Sequence, residues 1–122
     1  MSALDHHAAA AGHAVTLTDG TPVAVRRVRL RDLDALRAIA VRAGVVCEEF
    51  ELARLVRSDP GDRLVLCAAA MRDGTEAVLG VGVIELSGIT TMPSLILVDP
   101  VYGQPLAVLL ADALIDRART AA

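Results

Sequence analysis

The sequence predicts an α+β domain in which helices flank a mostly antiparallel sheet, with the element order β-β-α-α-β-β-β-α. Two turn signals, Asp19-Gly20 and Asp73-Gly74, each separate two apolar, strand-like segments, and this pattern predicts two β-hairpins. Three further segments repeat apolar residues at helical spacing. Because strands joined by short turns usually pair with each other, we expect a meander of strands with helices packed on its faces.

The totals of the chain fit one domain that is long enough to bury a core. Its 122 residues are 54% hydrophobic and 22% charged, so wholesale disorder is not expected. We expect residues 15–122 to form a single domain and the alanine-rich residues 1–14 to form a flexible N-terminal arm. His6, His7 and His13 in the arm have no fixed carboxylate or cysteine partner, so no metal site is predicted there.

Composition argues against several classes of partner. Phe50 and Tyr102 are the only aromatic residues, so stacking platforms for nucleic-acid bases are missing, and a net charge of -3 gives no pull on nucleic acid or anionic membranes. No apolar run approaches the ~20 residues of a membrane helix, and the N-terminus lacks a signal-peptide pattern. For Cys47 and Cys67, two buried thiols in a reducing compartment are favoured over a disulfide between them. We therefore expect a cytoplasmic protein.

The first half of the domain is predicted to be a hairpin followed by two helices. Apolar and polar residues alternate on either side of Asp19-Gly20, as they do in half-buried strands. The next segment repeats apolar residues at helical spacing and ends at Gly44, which is typical of a helix C-terminus. The strands are assigned to Val15–Leu17 and Pro22–Val28, and the helices to Arg31–Ala43 and Cys47–Arg57.

The acidic run Glu48-Glu49-Phe50-Glu51 at the start of the second predicted helix has two interpretations. Carboxylates near the positive end of a helix dipole stabilise the helix and face solvent. The same carboxylates can also attract an amine ligand. Within this helix, Phe50, Leu52 and Leu55 are among the residues available for burial.

The second half is predicted to be three strands followed by a long helix. The strands are assigned to Arg63–Met71, Ala77–Leu86 and Leu95–Val98, and the helix to Leu106–Arg119. Gly80 and Gly82 lie inside a strand, which indicates a bulge, a close backbone approach, or relief of crowding under a helix. Pro105 suits a first helical turn, and the free N–H groups of a helix that follows a strand can bind an anion.

The last strand, turn and helix resemble the acyl-CoA segment of the GCN5-related N-acetyltransferase (GNAT) family. That family has a strand with V-x-P-x-Y and then Q/R-x-x-G-x-G/A at the start of a helix. Here the corresponding stretch is Val98-Asp99-Pro100-Val101-Tyr102-Gly103-Gln104-Pro105-Leu106-Ala107. The motif is degenerate, because Tyr102 falls at the Gln/Arg position, Pro105 at the first glycine and Ala107 at the second. A looser resemblance covers the second strand and first helix, which in GNAT proteins often run into R-x-x-D-x-x-x-L.

The resemblance implies acetyl-CoA as co-substrate and transfer of its acetyl group to an amine. It places the cofactor along the last strand and at the start of the last helix, on Leu97, Val98, Gly103, Gln104, Leu106 and Ala107. Glu85, near the end of a strand and between apolar neighbours, is the candidate general base, and Asp99 is the runner-up. Tyr102 is the candidate general acid, with a packing role at the family's tyrosine position as the alternative.

GNAT domains continue beyond this helix with further strands, so the resemblance covers only the first two-thirds or so of the fold. The chain is therefore expected to be a truncated GNAT-like domain that lacks the family's C-terminal strands. In that case Leu95–Val98 becomes an apolar, uncharged sheet edge, which is prone to pair with another chain. We expect a homodimer. The alternative function is a non-catalytic GNAT remnant that serves as a dimerisation or regulatory module.

Overall fold

The structure, a computed structural model, describes residues 13–17, 19–88 and 92–121. The strands are β1 (His13–Thr16), β2 (Pro22–Arg27), β3 (Arg63–Arg72), β4 (Thr75–Glu85) and β5 (Leu95–Val98), and the helices are α1 (Leu33–Arg42), α2 (Glu49–Val56) and α3 (Gly103–Ala121). A short 3-10 turn, Leu30–Asp32, precedes α1. The α+β class and the predicted element order are confirmed.

The five strands form one antiparallel sheet in the order β1-β2-β3-β4-β5. The long hairpin of β3 and β4 is its centre and pairs from Arg63 opposite Glu85 to Arg72 opposite Thr75. β5 adds to β4 with Leu95 opposite Val83 and Val98 opposite Gly80. Within the described residues, β5 is therefore one edge of the sheet and β1 is the other.

Helices cover both faces of the sheet, so the domain has three layers. On one face, α1 and α2 pack through Leu36, Ile39 and Leu52 against alternate side chains of the central strands. On the other face, α3 packs through Leu106, Leu110 and Leu114, which are all 0% exposed. The four-residue spacing of these leucines places them in one stripe along the helix, as the sequence predicts.

The strand glycines let α3 and β5 approach β4 closely. A Cβ at Gly80 would lie 2.9 Å from Val98 Cγ1 and 3.1 Å from the carbonyl oxygen of Leu97. A Cβ at Gly82 would lie 2.7 Å from Leu114 Cδ1. The pairing of β3 and β4 also shifts by one residue at Ala68/Ala69, opposite this segment. The expected close approach and the expected bulge thus occur together.

A buried ionic cluster joins β2 to the start of α1 and to the central hairpin. Arg26 and Asp32 are 5% and 4% exposed, and the Arg26 guanidinium donates two hydrogen bonds of 2.9 Å to the two carboxylate oxygens of Asp32. Its Nε also donates to Glu76 at 3.2 Å. Burial disfavours the Asp32 carboxylate, but the donors from Arg26 and the Arg29 N–H hold its pKa below the ordinary value.

Several boundaries differ from the prediction in an informative way. β1 begins at His13, two residues early, and α3 begins at Gly103, three residues before the predicted Leu106, because Pro105 lies inside the first turn. Phe50, one of the residues available for burial in the second predicted helix, is 63% exposed. Residues 1–12 of the predicted flexible arm lie outside the described residues.

Both cysteines are free thiols. Cys67 is 0% exposed in the core, and burial raises its pKa to about 12, so it is not a reactive thiolate at neutral pH. Cys47 is partly exposed, and burial raises the pKa of its thiol as well. Of the two buried thiols that the sequence predicts, Cys67 is buried and Cys47 is only partly buried.

Candidate functional site

β5 leaves one row of backbone polar groups facing away from the sheet. The N–H of Asp99, immediately after β5, donates to the carbonyl of Leu79 in β4 at 2.8 Å. Because hydrogen-bonded residues alternate along an antiparallel strand, Leu97 also bonds toward β4, and before β5 the Ser94 N–H donates to the carbonyl of Val83 at 2.8 Å. The N–H and C=O groups of Ile96 and Val98 therefore point outward. These two residues are roughly 6.6 Å apart along the strand.

Asp99 organises the turn between β5 and α3. Its side chain is 12% exposed; Oδ1 accepts a hydrogen bond from the Val101 N–H at 3.1 Å and Oδ2 accepts one from Arg42 Nε at 2.9 Å. Its carbonyl accepts the N–H groups of Tyr102 at 3.0 Å and Gly103 at 3.3 Å. Gly103 then enters α3 with φ +55°, a conformation that favours glycine. Asp99 is thus a structural residue of the turn.

The residues predicted to bind the cofactor lie at this strand end and helix start, but not all of them present groups to solvent. Leu97 and Leu106 are buried in the two cores, whereas Val98, Gly103 and Ala107 are half-buried and Gln104 is exposed. The Gly103 N–H is bonded to Asp99, and Pro105 has no N–H. Of the five residues from Gly103 to Ala107, Gly103 and Pro105 therefore offer no free N–H to a ligand.

A cavity of about 250 Å³ opens beside this turn, on the side of α1. Its wall includes the side chains of Arg42, Arg72, Asp99 and Tyr102 and the first half of β4. The Arg72 guanidinium carbon lies 5.3 Å from the centre of the Tyr102 ring, which is a cation–π contact. A larger cavity of about 620 Å³ lies between Val15, Val25 and the outer side of α3, near the opposite edge of the sheet from β5.

The two candidate catalytic residues lie at opposite ends of β5. Glu85 is at the end of β4, five residues beyond Gly80, which pairs with Val98, and this separation is roughly 16 Å along the strand. Its carboxylate forms an ion pair with Arg63 at 3.3 Å. Tyr102 packs its ring against the core under α3 and beneath Arg72. The structure thus does not bring Glu85 and Tyr102 together.

The acidic run at the start of α2 is used within the domain. Glu49 pairs with Arg37 of α1, with Nη2 and Oε2 3.0 Å apart, and the side chain of Glu51 accepts the Glu48 N–H at 3.0 Å. Of the two interpretations of this run, the contacts support helix capping and ion pairing over an amine-binding role.

Comparison with known proteins gives a structural match. A point mutant of a cAMP-binding acyltransferase from Mycobacterium smegmatis has a TM-score of 0.58 and 22% sequence identity to this chain. The match covers 95% of this chain and 38% of the acyltransferase chain. The chain has a GNAT-like fold. The sequence matches no protein-family profile and no curated protein.

β5, the turn and α3 are the elements formed by the segment that carries the sequence resemblance. At 22% identity the match shows the fold alone, and a fold does not by itself assign an activity or residue roles. The chain spans 38% of the length of the matched protein.

Sequence reasoning missed Arg42 and Arg72. Arg42 is at the end of α1 and Arg72 at the end of β3, and both line the same cavity because the sheet brings these two ends beside the β5–α3 turn. Arg42 is 57 residues from Asp99 in the chain, so no local spacing signals this contact. Arg42 lies in the last turn of α1, where a cation interacts favourably with the helix dipole. Its position in the sequence therefore did not suggest a further role.

The described residues also show what the fold offers to a membrane and to a metal ion. None of the helices in the described ranges is long and apolar enough to span a bilayer. Among the described residues, no group of three or more His, Cys, Asp or Glu side chains is arranged to hold a metal ion. The predicted arm histidines His6 and His7 lie outside those residues.

Proposed function

We propose that this GNAT-like domain binds an acyl-CoA, with acetyl-CoA as the first ligand to test, along the free edge of β5. One observation carries the proposal: the outward backbone groups of Ile96 and Val98 lead directly to the turn that begins α3. The pantetheine arm of CoA contains two amides, which can pair with a strand edge as another strand does. Its phosphates then lie where the α3 dipole and the exposed Gln104 favour an anion.

This placement gives the ligand a direction. CoA carries its diphosphate and its thiol at opposite ends of an extended arm. With the phosphates beside Gly103 and the arm along β5 toward Leu95, the thioester reaches the end of the strand where Glu85 lies. Tyr102 and Asp99 then lie at the phosphate end, so Glu85 is the better placed of the candidate proton acceptors.

We further propose that the domain supports transfer of the acetyl group to an amine. The amine nitrogen attacks the thioester carbonyl, its proton passes to the Glu85 carboxylate, the C–S bond breaks and the CoA thiolate takes a proton from water. An outward N–H at the start of β5 can donate to the carbonyl oxygen as negative charge develops on it. The acceptor amine is not specified by any residue pattern of the chain.

The binding proposal is tested by calorimetric titration with acetyl-CoA and with CoA. Gln104→Asp adds a negative charge at the start of α3, where it does not disturb the helix, and is expected to weaken binding about tenfold. Gln104→Ala removes the same side chain without adding charge and is expected to weaken binding less than Gln104→Asp does. Absence of saturable binding to the wild-type protein at millimolar ligand would refute the proposal.

The second candidate function is a dimerisation module, and one observation favours it. β5 is a short apolar edge strand with no charged side chain, and such edges pair readily with a second copy. In this proposal the outward groups of Ile96 and Val98 bond to the β5 strand of a partner. The two candidates compete for the same backbone groups, so the oligomeric state with and without CoA distinguishes them.

A further inference from the structure

We propose that Arg42 and Arg72 form a phosphate-binding site in the cavity beside the β5–α3 turn. This rests on the proposed binding of an acyl-CoA and names the groups that hold its phosphates. The two guanidinium groups come from α1 and β3, outside the segment that resembles the GNAT motif, yet both line the same cavity of about 250 Å³.

Arg72 supplies a positively charged guanidinium to the wall of this cavity. Among the described residues, no carboxylate pairs with Arg72, and its contact is with the Tyr102 ring at 5.3 Å. The aromatic face holds the planar guanidinium in place while its N–H groups stay available at the ring's edges. Tyr102 therefore orients a free cation at the mouth of the cavity.

Arg42 contributes a second set of donors in a fixed orientation. Its Nε is bonded to Asp99 Oδ2 at 2.9 Å, and this bond leaves the terminal nitrogens of the guanidinium for another acceptor. Both oxygens of Asp99 already accept hydrogen bonds, one from Arg42 and one from the Val101 N–H. With one carboxylate and two guanidinium groups, the cavity wall has a net charge of about +1.

The size of the cavity limits what it holds. About 250 Å³ is below the ~300 Å³ at which pockets enclose a whole small molecule, so the cavity suits one anionic group of a larger ligand. Guanidinium groups match the paired oxygens of phosphate, which makes phosphate the preferred group. Because Tyr102 directly precedes α3, the site adjoins the helix start where the phosphates of CoA are proposed to lie.

The test compares ligands with and without phosphate on matched variants. Arg72→Gln removes the free cation, and Arg57→Gln removes an exposed arginine near the opposite end of β3, on the order of 30 Å away. NMR titrations with CoA, 3′-dephospho-CoA, pantetheine and inorganic pyrophosphate separate the parts of the ligand. Arg72→Gln is expected to weaken CoA and pyrophosphate binding about tenfold and to leave pantetheine binding unchanged.

The binding of 3′-dephospho-CoA, which keeps the diphosphate but lacks the 3′-phosphate, shows which phosphate of CoA the site holds. If Arg72→Gln weakens its binding as much as that of CoA, the site holds the diphosphate; if it has no effect, the site holds the 3′-phosphate. Equal CoA affinity of the Arg72→Gln and wild-type proteins, or an equal loss in Arg57→Gln, would overturn the phosphate site. If CoA fails to bind the wild-type protein but pyrophosphate binds and is lost in Arg72→Gln, the phosphate site stands and the acyl-CoA proposal fails.

Discussion

At the scale of single residues, the most constrained group is Asp32. Its carboxylate is 4% exposed and bonded at both oxygens by Arg26, which also holds Glu76. Removal of one partner from a buried ion pair costs about 3–5 kcal/mol, because the other charge stays buried. Here the cost of Asp32→Asn is expected at the lower end, because Glu76 still neutralises Arg26.

Stability is expected to fall in acid because of this cluster. The pKa of Asp32 is lowered in the folded protein, and hydrogen bonds from Arg26 lower the pKa of Glu76. Their contribution is present above the unfolded pKa of about 4 and is lost as pH falls through the lower folded values. Urea unfolding from neutral pH downward should show a steeper loss for the wild-type protein than for Asp32→Asn, and parallel curves would contradict this origin.

The proposed direction of the ligand places the thioester near Glu85 and thereby makes Glu85 the candidate general base. Glu85→Gln keeps the size of the side chain and removes the proton acceptor. It is expected to lower the rate of acetyl transfer by about a hundredfold or more with little change in acetyl-CoA affinity. Tyr102→Phe, which keeps the ring under Arg72, serves as the comparison and should retain most of the rate. An unchanged rate in Glu85→Gln would exclude this carboxylate as the base.

At the scale of elements, Gly80 sets how closely β5 and α3 approach β4. An added methyl group would lie 2.9 Å from Val98 Cγ1, and the β-branched valine has little freedom to move away. Gly80→Ala is expected to destabilise the fold by about 1–3 kcal/mol. Gly61→Ala is the control, because its Cβ would make only an ordinary contact of 3.4 Å with Asp59. Equal unfolding midpoints in urea for the two variants would contradict this role.

Features of single elements could be predicted from the sequence, because they depend on residues close together in the chain. Element order, the two hairpins and the buried stripe of α3 follow from local periodicity and turn residues, and each is present. Helical spacing alone did not show which apolar residues of α2 are buried: its eight residues bury Leu52 and Leu55 and leave Phe50 exposed. Local patterns also could not reveal contacts between distant segments, such as Arg26 with Glu76, 50 residues apart. The cavity lined by Arg42 and Arg72 also depends on segments that are far apart in the chain, so the sequence did not reveal it.

At the scale of the whole molecule, ligand binding and self-association use one surface. The backbone groups of Ile96 and Val98 can bond to the amides of a CoA arm or to β5 of a second copy, but not to both. The two functions are therefore thermodynamically linked, and a ligand that binds only the monomer must shift the equilibrium toward it.

This linkage makes the oligomeric state a test of both proposals. If the homodimer forms through β5, sedimentation velocity at micromolar concentration should show a dimer, and saturating CoA should convert it to monomer. Pyrophosphate, which lacks the arm, should leave the dimer intact. A dimer that persists in saturating CoA would place the dimer interface elsewhere, whereas a monomer without ligand would refute the dimerisation module and leave the β5 edge free for the cofactor.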